Sequence, residues 1–141
     1  MISVYLSAAF RRASEVNRFA YDLRRDGVGI VSTWHRSSTG PTDADLDHAG
    51  KVDAALQDLD DLESADALCL FGDAPGAYDG QGGKWCEFGY ALGMGIHIVV
   101  VGHREGIFTH LPGVVYCEDP EAAKSYLRTL RRNSSGKVRA A

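Results

Sequence analysis

Hydrophobic and polar residues follow two alternating rhythms along this chain. "ISVYL" (2–6) is a short β-branched and aromatic run, and it predicts a buried strand. Val16, Phe19, Ala20 and Leu23 then recur at helical spacing, with Ser14 as N-cap and Gly27 as the stop. "VGIVSTW" (28–34) reads as a second strand and "HRSSTGPTD" (35–43) as a loop. Helical spacing returns from Asp43 to Ser64 through Leu46, Val52, Leu56 and Leu59. "ADALCLF" (65–71) is a third strand, followed by the glycine-rich loop 72–83 and a helix over "KWCEFGYALGM" (84–94). "IHIVVVG" (96–102) and "GVVYC" (113–117) are strands four and five, separated by the loop 103–112. "DPEAAKSYLRTLRR" (119–132) predicts a last helix, with Asp119 at the N-cap and Pro120 at its first position. "NSSGKVRAA" (133–141) reads as a frayed, flexible C-terminal tail.

Strands alternating with helices predict an α/β fold with a parallel sheet covered on both faces. Right-handed crossovers then favour a single doubly wound sheet, Rossmann- or flavodoxin-like, with five strands in the order 2-1-3-4-5. The domain spans 1–132. Ligands of such folds sit beyond the carboxyl ends of the strands. That rule selects "SAAFRR", "WHRSS", "FGDAPGAYDGQGG" and "GHREG".

Composition narrows the function classes. The chain has 141 residues, enough for one domain with its own core. Hydrophobic residues make up 45%, charged residues 24%, and the net charge is −4. These values lack the basic footprint of a nucleic-acid polymer binder. No apolar run reaches the roughly 20 residues of a membrane helix. The N-terminus has no basic segment ahead of an apolar one, so a cytoplasmic protein without a secretory signal is expected. Cys69, Cys86 and Cys117 are too widely spaced for a metal or CxxC motif and read as buried free thiols. Five histidines are scattered without ligand spacing, so neither a metal nor a cofactor is expected.

The chemistry centres on Glu87, a lone carboxylate within "GGKWCEFGYALGMG". If its helix starts at Gly83 or Lys84, the carboxylate lies in the first turn, where free N–H groups favour it. Capping is therefore one reading. Nucleophile or charge stabiliser in glycoside chemistry, with Trp85, Phe88 and Tyr90 partly excluding water, is the other. Tyr5, late on the first strand, is either a core aromatic or the hydroxyl that holds Glu87. The acids Asp58, Asp60, Asp61, Glu63 and Asp66 read mainly as a solvated helix face. Arg11 and Arg12 open the first crossover, where a guanidinium and backbone amides suit a phosphate, or simply form a surface pair. Trp34 and His35 are candidates to stack on or bond to a base, with a structural Trp34 as the alternative.

Three stretches then carry a resemblance: "VYLSAAFRR", "QDLDDLESADALCLF" and "GGKWCEFGYALGMGIHIVVV". Together they resemble the nucleoside 2-deoxyribosyltransferase family, including its nucleotide N-glycosidase branch, over roughly residues 2 to 130. The resemblance implies that Glu87 is the nucleophile, Tyr5 the residue that positions it, and Asp58 the group assisting base departure. It places Ser7 and Arg11 at a 5′-phosphate, and Phe10, Trp34, His35, Asp79, Gln81, Gly82 and Gly83 among the substrate contacts. Gln81 stands where the family often has Asp or Ser, and Asp79 is the alternative in a shifted register. The implied substrate is a small nucleoside or nucleotide, with hydrolysis or base transfer as the outcome. A homodimer or higher homo-oligomer is implied as well.

Overall fold

The computed structural model describes residues 1–36, 43–77 and 82–140. Five parallel strands, β1 (Ser3–Ser7), β2 (Gly29–Ile30), β3 (Ala67–Phe71), β4 (His97–Val101) and β5 (Val114–Cys117), form one sheet. Their order is β2-β1-β3-β4-β5, as the alternation of elements predicts. Among the described residues four α-helices cover the sheet: α1 (Ala13–Arg25), α2 (His48–Glu63), α3 (Gly83–Met94) and α4 (Pro120–Thr129).

The period of two along each strand divides the core. Val4, Leu6, Cys69, Phe71, Val99 and Val101 face α1 and α4, where Val16, Phe19, Leu23 and Leu127 meet them. Tyr5, Leu68, Leu70, Ile98 and Val100 face α2 and α3, packing on Leu62, Phe88 and Ala91. All five β3 residues are completely buried. A central parallel strand with helices on both sides has no solvent face, hence its unbroken apolar run.

The boundaries differ from the sequence pattern at identifiable places. The second strand is two residues long, because Ser32 replaces a backbone partner: its Oγ accepts the Leu6 N–H at 3.0 Å. Residues 34–36 then turn into a 3-10 helix instead of continuing the sheet. A 3-10 turn at Phe10–Arg12 precedes α1, so Ser14 lies inside the helix rather than capping it. Gly27 does end that region, at φ +83°. The periodic segment from Asp43 divides into a 3-10 turn (Asp43–Asp45) and α2, whose cap is Asp47, accepting from Gly50 N at 2.8 Å. Val52 and Leu56 of that apolar pattern face outward, and Leu62 supplies the buried contact.

Asp119 caps α4 as its sequence predicts, accepting from Ala122 N at 2.8 Å. The helix stops at Thr129, three residues earlier than the pattern suggests. The chain continues as β6 (Leu130–Arg132), which pairs antiparallel with β7 (Val138–Ala140) through a turn at Gly136. Leu130 is fully buried and Arg132 bonds Asp66, so this hairpin rests on the amino end of the sheet. Burial between packed apolar side chains, not helical periodicity, decides residues 130–132. Cys69 and Cys117 are buried free thiols, whereas Cys86 is exposed. Among the described residues no helix is long and apolar enough to cross a membrane.

Candidate functional site

Strand β1 delivers two hydroxyl groups to one place. Tyr5 and Ser7 are two residues apart, so both point to the α2/α3 face at the strand's carboxyl end. Both are completely buried. Helix α3 crosses above them and presents Glu87 from its second turn. Tyr5 Oη donates to Glu87 Oε2, and Ser7 Oγ donates to Glu87 Oε1 at 2.8 Å. Each carboxylate oxygen thus accepts a hydroxyl from β1.

The position of Glu87 on its helix alters the expected electrostatics. The N-cap is Gly82 and the first turn contains no acidic residue. Glu87 lies beyond the four unpaired N–H groups, so capping does not account for it. Burial first, then the negative charges of Glu87 and Asp58, hold Tyr5 well above the ordinary phenol range. Tyr5 therefore remains a protonated donor at any working pH.

Helix α2 supplies two more carboxylates on one face, Asp58 and Asp61, three residues apart. Asp58 is half-buried, and its charge reaches Tyr5. Asp61 accepts from Thr33 Oγ1 at 2.6 Å and from Gln57 Nε2 at 2.8 Å. The sequence marks the acidic run but not Asp61's place in it. The spacing of Asp58 and Asp61 on a helix leading into β3 is the signal that could separate them from their neighbours.

Trp34 and Phe10 line the same strand end. The Trp34 indole N–H donates to the Leu6 carbonyl at 2.6 Å, and its ring lies 6.2 Å from that of Phe10. His35 lies apart from the carboxylates. It is completely buried, with Nε2 2.9 Å from Ser32 Oγ and Nδ1 2.7 Å from Asn17 Oδ1. Asn17 Nδ2 donates to the His35 carbonyl at 2.6 Å, so its Oδ1 accepts from Nδ1–H. With the imidazole neutral, Nε2 accepts from the Ser32 hydroxyl. Burial, reinforced by Arg24 and Arg36, pushes the His35 pKa down to about 4.

The two arginines after β1 diverge. Arg11 is exposed on the 3-10 turn. Arg12 folds back onto Glu15, the Gly72 carbonyl and Asp73. Gly82 and Gly83 begin α3, Gly82 at φ +86°, where a side chain would strain the backbone. Asp79 and Gln81 lie outside the described residues. Among those described, no cluster of three or more metal-ligating side chains forms. A hollow of about 420 Å³ lies between α3 and the loop after β4, lined by Trp85, Phe88, Leu92 and Phe108; Glu87 is not part of it.

No family model matches the sequence, and no curated protein matches it. Solved structures do match its fold. A conserved protein from Enterococcus faecalis superposes with a TM-score of 0.64 at 15% identity, covering 91% of this chain and 98% of that one. A 2-deoxyribosyltransferase from the psychrotolerant bacterium Bacillus psychrosaccharolyticus, described as a biocatalyst for nucleoside synthesis, gives 0.64 at 17% identity. There the match covers 99% of this chain and 98% of the other. The CMP N-glycosidase of Clostridium botulinum gives 0.58 at 16% identity, covering 89% and 97%. At these identities the shared property is the fold.

Proposed function

We propose that the protein cleaves the N-glycosidic bond of a (deoxy)nucleoside or nucleoside 5′-monophosphate, with Glu87 as nucleophile. The observation that carries this reading is the Glu87 carboxylate held by Tyr5 and Ser7 at the ligand-binding edge of the sheet. Support comes from two fold neighbours, one a 2-deoxyribosyltransferase and one a CMP N-glycosidase.

In the proposed reaction a Glu87 oxygen attacks the anomeric carbon while the bond to the base nitrogen breaks. The bonding electron pair leaves with the base, and a proton delivered through Asp58 neutralises it. The product is a glycosyl ester on Glu87. Water, or the nitrogen of a second base, then attacks that carbon, passes its proton to Asp58 and releases the carboxylate. The two hydroxyls serve both steps: they fix the plane of the nucleophile, and they stabilise the carboxylate when it departs.

The test is to incubate purified protein with a panel of nucleosides and 5′-monophosphates, with and without a second free base, and to separate products by chromatography. Time-dependent release of a free base, or its exchange for the added one, is the expected result. Saturable binding of the same compounds without base release overturns the catalytic reading in favour of a nucleotide sensor.

A further inference from the structure

The start of α3 is tied to the sheet by a compact group of charges outside the proposed reaction. Lys84 Nζ lies 2.7 Å from Asp73 Oδ2 and 2.6 Å from Glu105 Oε1. The lysine and Asp73 side chains are only 10% and 8% exposed. Asp73 Oδ1 also accepts from Arg12 at 3.0 Å, and the Asp73 backbone N–H donates to Glu105 Oε1 at 2.5 Å. Arg12 is held in turn by Glu15, the Gly72 carbonyl and the face of Phe71. The group therefore joins the turn after β1, the loop after β3, the loop after β4 and the first turn of α3.

Gly72 makes this convergence possible. A Cβ there would lie 1.8 Å from the His103 carbonyl oxygen, so the β3 and β4 loops approach closely only because Gly72 has no side chain. This backbone contact brings Asp73 beneath Glu105. Between them the ammonium ion of Lys84 finds both carboxylates, and it sits 5.1 Å from the Trp85 ring centre.

Lys84 is three residues ahead of Glu87 on the same helix, so the two positions lie on neighbouring rows of one face. We infer that Lys84 is a positioning residue: clamped between Asp73 and Glu105, it fixes the start of α3 so that Glu87 meets Tyr5 and Ser7. The catalytic half of this inference rests on the function proposed above. The mechanical half does not. Removing the ammonium takes away the ion pairs that tie the first turn of α3 to both loops and leaves Glu105 facing Asp73, which Arg12 still pairs, so the helix start is no longer held to the loops. A nucleophile misplaced by about 1 Å can lose roughly 100-fold in rate.

The experiment compares the full-length wild type with Lys84→Met, Lys84→Arg and Glu105→Gln. Amide hydrogen exchange is read over residues 86–91, and kcat and KM are measured on the best substrate. In Lys84→Met, exchange over 86–91 accelerates by about tenfold or more while β1 and β4 keep their rates. kcat falls by about 10- to 100-fold with KM changed by less than about threefold, because orientation is lost and substrate contacts are not. Lys84→Arg recovers most of both, since it restores the positive charge between the carboxylates. If Lys84→Met does not fold, Glu105→Gln shows the same pattern at smaller size, because Asp73 still holds the lysine. Unchanged exchange over 86–91, acceleration spread evenly through the sheet, or Lys84→Arg behaving like Lys84→Met overturns the inference. Absence of any base release by the wild type overturns the proposed reaction alone, and the exchange data still decide the clamp.

Discussion

Glu87 and His35 are two polar side chains near the carboxyl end of β1, each held by a serine hydroxyl, and they are built for opposite purposes. His35 is closed to solvent, and both ring nitrogens are consumed by Ser32 and Asn17. Glu87 is only partly buried and accepts one hydroxyl on each oxygen. A saturated buried group fixes the fold and has nothing left to offer a ligand. A carboxylate oriented by fixed donors and reached by solvent can take part in a reaction. The difference lies in access to solvent, not in residue type.

The largest effect that tests this contrast is Glu87→Gln. The amide has the carboxylate's shape and no anionic oxygen. Turnover should fall by at least about 1000-fold, or roughly 4 kcal/mol of activation free energy. The midpoint of denaturant unfolding should move little, because an amide oxygen still accepts one hydroxyl. Wild-type turnover by purified Glu87→Gln would remove the nucleophile from the account. A large stability loss with unchanged turnover would place Glu87 in the same class as His35.

His35→Leu should show the reverse balance. It strands the Ser32 hydroxyl and the Asn17 amide oxygen in the core, at a cost of about 2–4 kcal/mol at neutral pH. Its effect on kcat should stay below about tenfold, far short of Glu87→Gln. The pH dependence sharpens the point. In the folded protein His35 takes a proton only near pH 4, whereas an unfolded histidine does so near 6.5. Between these values the unfolded chain binds more protons, so wild-type stability falls as pH drops from about 6.5 to about 4, by roughly 3 kcal/mol at this site. Below that range the contribution stays lost. The Leu variant should lack this part of the slope in unfolding curves recorded across the range. Parallel slopes in both proteins would mean that His35 is not the neutral, saturated group described.

The contrast also shows what the sequence discloses and why. Short continuous apolar runs expose β1, β3, β4 and β5, and their alternation with helices suffices for the strand order. Tyr5 and Glu87 are legible because a hydroxyl late on β1 and a lone helix carboxylate stand out against apolar neighbours; Ser7 enters only through the family resemblance, at a 5′-phosphate, whereas in the structure its hydroxyl donates to Glu87. His35 is not legible as a core residue. Its partners are Asn17, eighteen positions earlier, and Ser32, whose side chain substitutes for a strand. The clamp around Lys84 is hidden for the same reason: Arg12, Asp73, Lys84 and Glu105 come from four separate segments, and only the folded loops join them. The hairpin of β6 and β7 is hidden because its arginines mimic the polar end of a helix. Burial of Leu130 is a tertiary fact, and it outweighs that local pattern.

Arg11 gives the smallest and most discriminating effect, because it separates two substrate classes without touching the reacting atoms. Its neighbour Arg12 is committed to Glu15, Asp73 and the Gly72 carbonyl. Arg11 is exposed beside the same strand end, so of this pair it is the one available to an anion. Arg11→Ala should raise KM for nucleoside 5′-monophosphates by about 5- to 10-fold, the scale of one solvent-accessible charge-assisted contact, and leave KM for nucleosides within about twofold. The wild-type preference should weaken with added salt, and the variant's should not. Equal changes in KM for both classes would assign Arg11 to the fold. No change for either would leave the phosphate, if the substrate carries one, to groups other than this arginine pair.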